Sequence, residues 1–156
     1  MESKGNIKKQ ASYKLAHKMI DDAIRKKCPL QAIAVEESIL SDRLWAAINS
    51  APTKHEGYET LGGALREWKE FGKDSPIQLC DKDGFSFRDI SDWCDLRNKL
   101  LHGIVKSSHG HGPKISEPKF MERAVLTARK GLALVRRVEN WSKRQVRKAG
   151  RCRHEV

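Results

Sequence analysis

The chain has 156 residues, with 31 Lys and Arg against 20 Asp and Glu, a net charge of +11 and 33% charged residues. That length supports one domain with a real core and hardly two, so residues 1–156 are expected to form a single domain. No apolar run approaches the length that crosses a bilayer, and MESKGNIKKQ has no apolar core behind its charges, so neither membrane insertion nor a secretory signal is expected and the protein is placed in the cytoplasm.

Helical spacing of apolar residues dominates from the start of the chain. The first helix is expected from about Lys9 to Lys27, with Tyr13, Ala16, Ile20, Ala23 and Ile24 as its apolar stripe. Cys28-Pro29 ends it, because the residue before a proline avoids helical backbone angles. A second helix follows from about Leu30 to Ser50, with Ile33, Leu40, Leu44, Ala47 and Ile48 on one face. At 100° per residue Glu37 falls inside that stripe and Glu36 at its edge. A carboxylate on the buried side requires a cationic or hydrogen-bonding partner, and Arg97 is one such candidate for Glu37.

The third helix spans about Tyr58 to Phe71, where Leu61, Leu65 and Trp68 make one face and Gly62-Gly63 either weakens the helix or admits a close helix contact. KDSP and DKDG mark an irregular segment before the fourth helix, which starts near Phe87 on a Ser86-x-x-Asp89 capping box. Ile90, Trp93, Leu96, Leu100 and Leu101 supply its apolar surface, and Gly103 lies near its end. KSSHGHGPKISEP reads as a loop. The fifth helix, about Glu117 to Lys148, repeats Met121, Ala124, Ala128, Leu132, Val135, Val138 and Trp141 at helical spacing and carries Arg123, Arg129, Lys130, Arg136 and Arg137. Residues 143–156 form a basic C-terminal tail. With no segment alternating at period two and no internal repeat, the expected fold is all-α, an antiparallel bundle of four to five helices.

Four widely spaced cysteines, Cys28, Cys80, Cys94 and Cys152, include no C-x-x-C pair, so reduced and mostly buried thiols are expected rather than a zinc site. His109 and His111 sit two apart in a glycine-rich loop without a nearby carboxylate or cysteine, which fits a mobile loop better than a metal site. The positive charge attracts polyanions by counterion release, without separating RNA from DNA or from an acidic protein.

The fourth helix carries the residues that packing leaves unexplained. In DLRNKLLHGI, Asn98 and His102 are four apart and share a face, and Arg97 lies 140° from His102. Arginine grips a phosphate with a fixed, permanently charged fork. Histidine titrates near neutrality and can move a proton, and asparagine can orient either partner. RNA brings its own nucleophile, the 2′-hydroxyl, so this set suffices for cleavage without a metal or other cofactor, leaving a 2′,3′-cyclic phosphate and a 5′-hydroxyl. The same three residues also fit a bland role, since Arg and His favour a helix C-terminus and Asn a solvated flank.

RNKLLHG, Arg97 to Gly103, resembles the R-x(4–6)-H signature of the HEPN superfamily, in which a polar residue, often Asn, follows the arginine as Asn98 does here. Chain length and the motif's place on a late helix also fit that family's bundle of four to five helices. The resemblance implies a metal-independent endoribonuclease of toxin or antiphage-defence type. Two protomers would pair so that Arg97 and His102 of each line one composite cleft, with Asn98 in support. It further implies that Glu36 and Glu37, in AIAVEESILSDRL, match the acidic upstream helix and orient the site, and that a cognate antitoxin protein is a further partner. One subgroup is controlled by adenylylation of a tyrosine two residues after the histidine; Ile104 stands there instead, which argues against that control. Lys99, Lys106 and Lys114 are candidates for contacting RNA phosphates. The main alternative is a non-catalytic HEPN module that binds a partner protein or nucleic acid in a defence or toxin–antitoxin complex. A basic helical DNA-binding regulator is more distant, with no helix-turn-helix pattern behind it.

Overall fold

A computed structural model describes residues 4–49, 60–71, 86–105 and 116–152. The fold is an all-α helical bundle, and the described residues contain five helices and no strand. These are α1 (Lys4–Arg25), α2 (Pro29–Ile48), α3 (Leu61–Phe71), α4 (Phe87–Val105) and α5 (Glu117–Cys152). None of them is long and apolar enough to cross a membrane.

Local chemistry sets several helix ends. At the end of α1, Lys27 takes φ = 56°, the Cys28 N–H donates to the Ala23 carbonyl at 2.8 Å and the Lys27 N–H to that of Ile24 at 3.2 Å. This is a Schellman cap with lysine where glycine is the usual residue. Pro29 then occupies the first position of α2, where no N–H is required, and the Cys28 carbonyl accepts from Gln31 and Ala32. The α3 start is capped by the Thr60 hydroxyl, which accepts from the Gly63 N–H at 3.1 Å. Ser86 and Asp89 form the expected reciprocal box: the Ser86 N–H donates to Asp89 Oδ2 at 2.5 Å, and the Asp89 N–H to Ser86 Oγ at 3.3 Å.

The chain packs as two units that share α2, α4 and α5 between them. The first comprises residues up to Ile39 with Trp93–Leu132, and the second Leu40–Asp92 with the chain from Ala133 onward. The first unit buries Ile20, Ala23, Ala32, Ile33, Ile39, Trp93, Leu100, Phe120, Ala124 and Ala128. The second closes on Leu40, Leu44, Trp45, Ile48, Leu61, Trp68, Ile90, Val135, Val138 and Trp141. In the second, Trp68 and Trp141 meet edge to face, with centroids 5.1 Å apart and planes at 70°. Polar tips there are tied to backbone: Trp45 Nε1 donates to the Thr60 carbonyl at 3.3 Å, and Ser142 Oγ to the Arg43 carbonyl at 3.2 Å.

Three expectations are corrected. On α4, Leu96 and Leu101 are 39% exposed, whereas Trp93, Cys94 and Leu100 are buried; the buried arc of this helix is centred on Arg97, which puts Leu96 on its flank. On α2, Glu36 is fully buried and Glu37 only half-buried, the reverse of the expected order. Pro29, Ala32 and Ile39 are buried along with Ile33, and the centre of that arc falls on Glu36. Among the cysteines, Cys94 is buried as expected but Cys28 is exposed.

Gly62 of α3 and Gly131 of α5 have opposite roles. A methyl group on Gly62 would meet nothing within 4 Å, so this residue does not serve a close helix contact. A methyl group on Gly131 would lie 2.8 Å from Trp93 Nε1 and overlap the Glu36 carboxyl. Gly62→Ala should therefore stabilise the protein, by no more than about 0.5–1 kcal/mol, the helix-propensity gain of an interior position, since Gly62 lies in the first turn of α3. Gly131→Ala should destabilise it by about 1–3 kcal/mol despite the same gain, because it overpacks the site. Urea melts of the two variants against the wild type check both signs.

Candidate functional site

The candidate residues lie in the first unit, on α2 and α4. Arg97 occupies the middle of the buried arc of α4, with Trp93, Cys94 and Leu100 around it. A guanidinium in that position needs a carboxylate, and α2 supplies one: Arg97 Nη2 lies 2.8 Å from Glu37 Oε1, with 19% and 30% of the two side chains exposed. Cys94, one turn earlier on α4, places its thiol against the same guanidinium. Burial raises that thiol above its ordinary value, while Arg97 pulls the other way by charge and hydrogen bonding. The Arg97 Nε is buried without a hydrogen-bond partner.

Asn98, Lys99 and His102 are exposed on α4. The structure thus joins Arg97 to Glu37, the pairing that a core-facing carboxylate required, and leaves Asn98 and His102 on the solvent side of the same helix. Lys106, Lys114, His109 and His111 lie outside the described residues, as does the structure of their loop. The side chain of Ile104 is likewise outside them. Among the described residues no group of three or more His, Cys, Asp or Glu is placed to hold a metal ion.

Glu36 makes no hydrogen bond to this set. Its carboxyl is buried with neither oxygen hydrogen-bonded, in the space that Gly131 leaves beside the Trp93 indole. Trp93 Nε1 is already used, donating to the Thr127 carbonyl of α5 at 3.1 Å. Desolvation pushes the Glu36 carboxyl from 4.5 up to about 8, so the neutral acid dominates at pH 7. Two residues of this region escaped the sequence reading. Gly131 was signalled by its place in the interior of the longest helix, where glycine is costly. Cys94 was signalled only by its position three residues before Arg97, a spacing that brings side chains together on a helix.

Comparison with known proteins adds no relative: no family model, curated protein or solved structure matches the chain.

The pH dependence follows from the raised acid. Glu36 binds its proton more tightly in the folded protein than in the unfolded chain, so its contribution is complete below 4.5 and is lost as pH rises toward about 8. Stability should fall between pH 5 and 8 with a slope of up to about 1.4 kcal/mol per pH unit. In Glu36→Gln, which is neutral throughout, this slope should vanish. Chemical denaturation at several pH values measures both.

Proposed function

We propose that the chain is a metal-independent endoribonuclease of the HEPN type, in which α4 presents an anchored arginine and an exposed histidine to an RNA phosphodiester. The observation that carries this reading is the Arg97–Glu37 pair. A carboxylate 2.8 Å from one guanidinium nitrogen fixes the arginine's fork at a half-buried edge, one turn before the exposed His102. A fixed cation stabilises charge in a transition state better than a mobile one, because no reorganisation is needed as the charge develops.

The reaction follows from that set. The 2′-oxygen attacks the adjacent phosphorus, the bond from phosphorus to the 5′-oxygen breaks, and the 2′-hydroxyl proton leaves as the 5′-oxygen gains one. Arg97 stabilises the phosphate oxygens. His102 transfers a proton or serves as a second phosphate ligand, and Asn98 orients one of the two. The RNA supplies the nucleophile and Arg97 the charge, so the scheme calls on no metal or other cofactor. Leu96 and Leu101, exposed on the motif helix itself, offer a second copy apolar surface to cover. A homodimer built there brings two sets of Arg97 and His102 into one cleft. In a cell such an enzyme acts as a toxin or in antiphage defence, held in check by an antitoxin protein.

A second reading is favoured by the same ion pair. Arg97 is already engaged by Glu37, which suits a non-catalytic module whose exposed α4 leucines bind a partner protein or whose basic surface binds nucleic acid. The two readings separate in one assay. EDTA-treated protein should cut labelled RNA, leave 2′,3′-cyclic phosphate and 5′-hydroxyl ends, and fail on a substrate with 2′-deoxyribose at the scissile position. His102→Ala should slow cleavage by at least about 100-fold. Arg97→Lys keeps the charge but loses the fork, and should be about as slow. Binding without cleavage supports the module instead, and undiminished cleavage by both variants sinks the nuclease reading.

A further inference from the structure

The second unit contains a cationic ridge that the α4 residues do not explain. Among the described side chains on its part of α5, the exposed positions are Ala133, Arg136, Arg137, Asn140, Lys143 and Arg144. Four of these six are cations and none is an acid. The one acid of the stretch, Glu139, is buried and lies 3.8 Å from Arg43 of α2 within the same unit. The two basic pairs, Arg136-Arg137 and Lys143-Arg144, stand seven residues apart, which is two helical turns and about 10.5 Å of rise. They therefore point to nearly the same side of the helix.

We propose that this ridge is a docking surface for the phosphate backbone of double-stranded RNA. The choice among polyanions follows from what accompanies the charge. Sites for single strands interleave cations with aromatic platforms on which bases stack. Here Trp45, Trp68 and Trp141 are all buried in the unit's core. Interfaces with acidic proteins have an apolar or aromatic anchor at their centre. The large exposed apolar residues of the described chain are Leu15, Met19, Leu30, Leu96, Leu101 and Leu126, all in the other unit. A helix face with cations in two pairs a whole number of turns apart and, among the described residues, no anchor matches a duplex, whose bases are turned inward and whose phosphates recur along a regular rim. The choice of RNA over DNA rests on the endoribonuclease reading. The ridge would hold a stem of a structured RNA through its backbone, without sequence preference.

The test uses the whole chain and a short 2′-O-methyl RNA duplex, which has no free 2′-hydroxyl and reports binding whether or not the protein cleaves. Absence of cleavage by the wild type would thus sink the nuclease reading while leaving this measurement intact. Arg137 and Arg144 have partners within the chain, so the variant is Arg136→Ala with Lys143→Ala. Fluorescence anisotropy should show duplex affinity falling at least about tenfold, and the slope of log affinity against log salt shrinking by about 2, near 0.9 for each phosphate no longer neutralised. Lys14→Ala with Lys18→Ala, an equal reduction of charge at exposed positions on α1, should change affinity by less than about threefold. Thermal melts check that each pair of substitutions leaves the fold intact. The proposal is overturned if both double variants lose affinity equally, since net charge alone is then at work, or if neither does. It is also overturned if single-stranded 2′-O-methyl RNA, a DNA duplex of the same sequence or polyglutamate binds this face more tightly than the RNA duplex.

Discussion

A guanidinium cannot sit within the packed arc of a helix without an anion to meet it, and the first unit is organised around that requirement. Arg97 lies among Trp93, Cys94 and Leu100, and Glu37 reaches it from α2 at 2.8 Å. The pair is partly exposed, which spares it the full desolvation cost of a deeply buried ion pair and leaves the arginine's edge open to solvent. Side chains at Asn98 and His102 then follow from helical geometry alone. They project from the same stretch of α4 toward the outside, because the arc that buries Arg97 is too narrow to include them. Whether α4 is a cleaving edge or a binding edge, its shape rests on this one contact.

Directly beside that pair the chain contains the opposite arrangement. Glu36 is one residue from Glu37, yet no cation meets it, and its carboxyl fits only where Gly131 has no side chain. The two neighbours solve the cost of a buried carboxyl in different ways. Glu37 is met by an arginine, while Glu36 takes up a proton. A helix places adjacent residues 100° apart, so one position separates the edge of the packing from its centre. The two glutamates cannot therefore be exchanged, although helical periodicity alone assigns them the opposite places.

The second unit is held by aromatic packing and by side chains tied to backbone carbonyls, and it turns its charge outward along α5. Glu139 is the exception that clarifies the rule: turned inward, it leaves the outer face of that stretch without a negative charge. On the proposed reading, grip and chemistry are assigned to different helices. Non-specific affinity would come from a backbone-contacting ridge, and the choice of bond to be cut from the exposed residues of α4.

Much of the fold was legible in the residues. Periodic apolar positions predict all five helices, and local motifs predict where several of them start and stop: Ser86 with Asp89 at α4, and Cys28-Pro29 between α1 and α2. These signals are readable because they act over four or five residues and need no distant partner. Trp141, placed with the core stripe by its spacing, is fully buried. By contrast, which glutamate is central, that Leu96 and Leu101 stay exposed, and why Gly131 bears no side chain depend on neighbours brought from far along the chain. A stripe read from one helix marks a direction only to within a residue or so, and the packing partner then selects the centre of the arc. Sequence by itself determined the helices, their caps and the set of residues able to do chemistry. Only the tertiary structure decided which of those residues meet, because burial and charge pairing are properties of surfaces brought together and not of spacing along one stretch of chain.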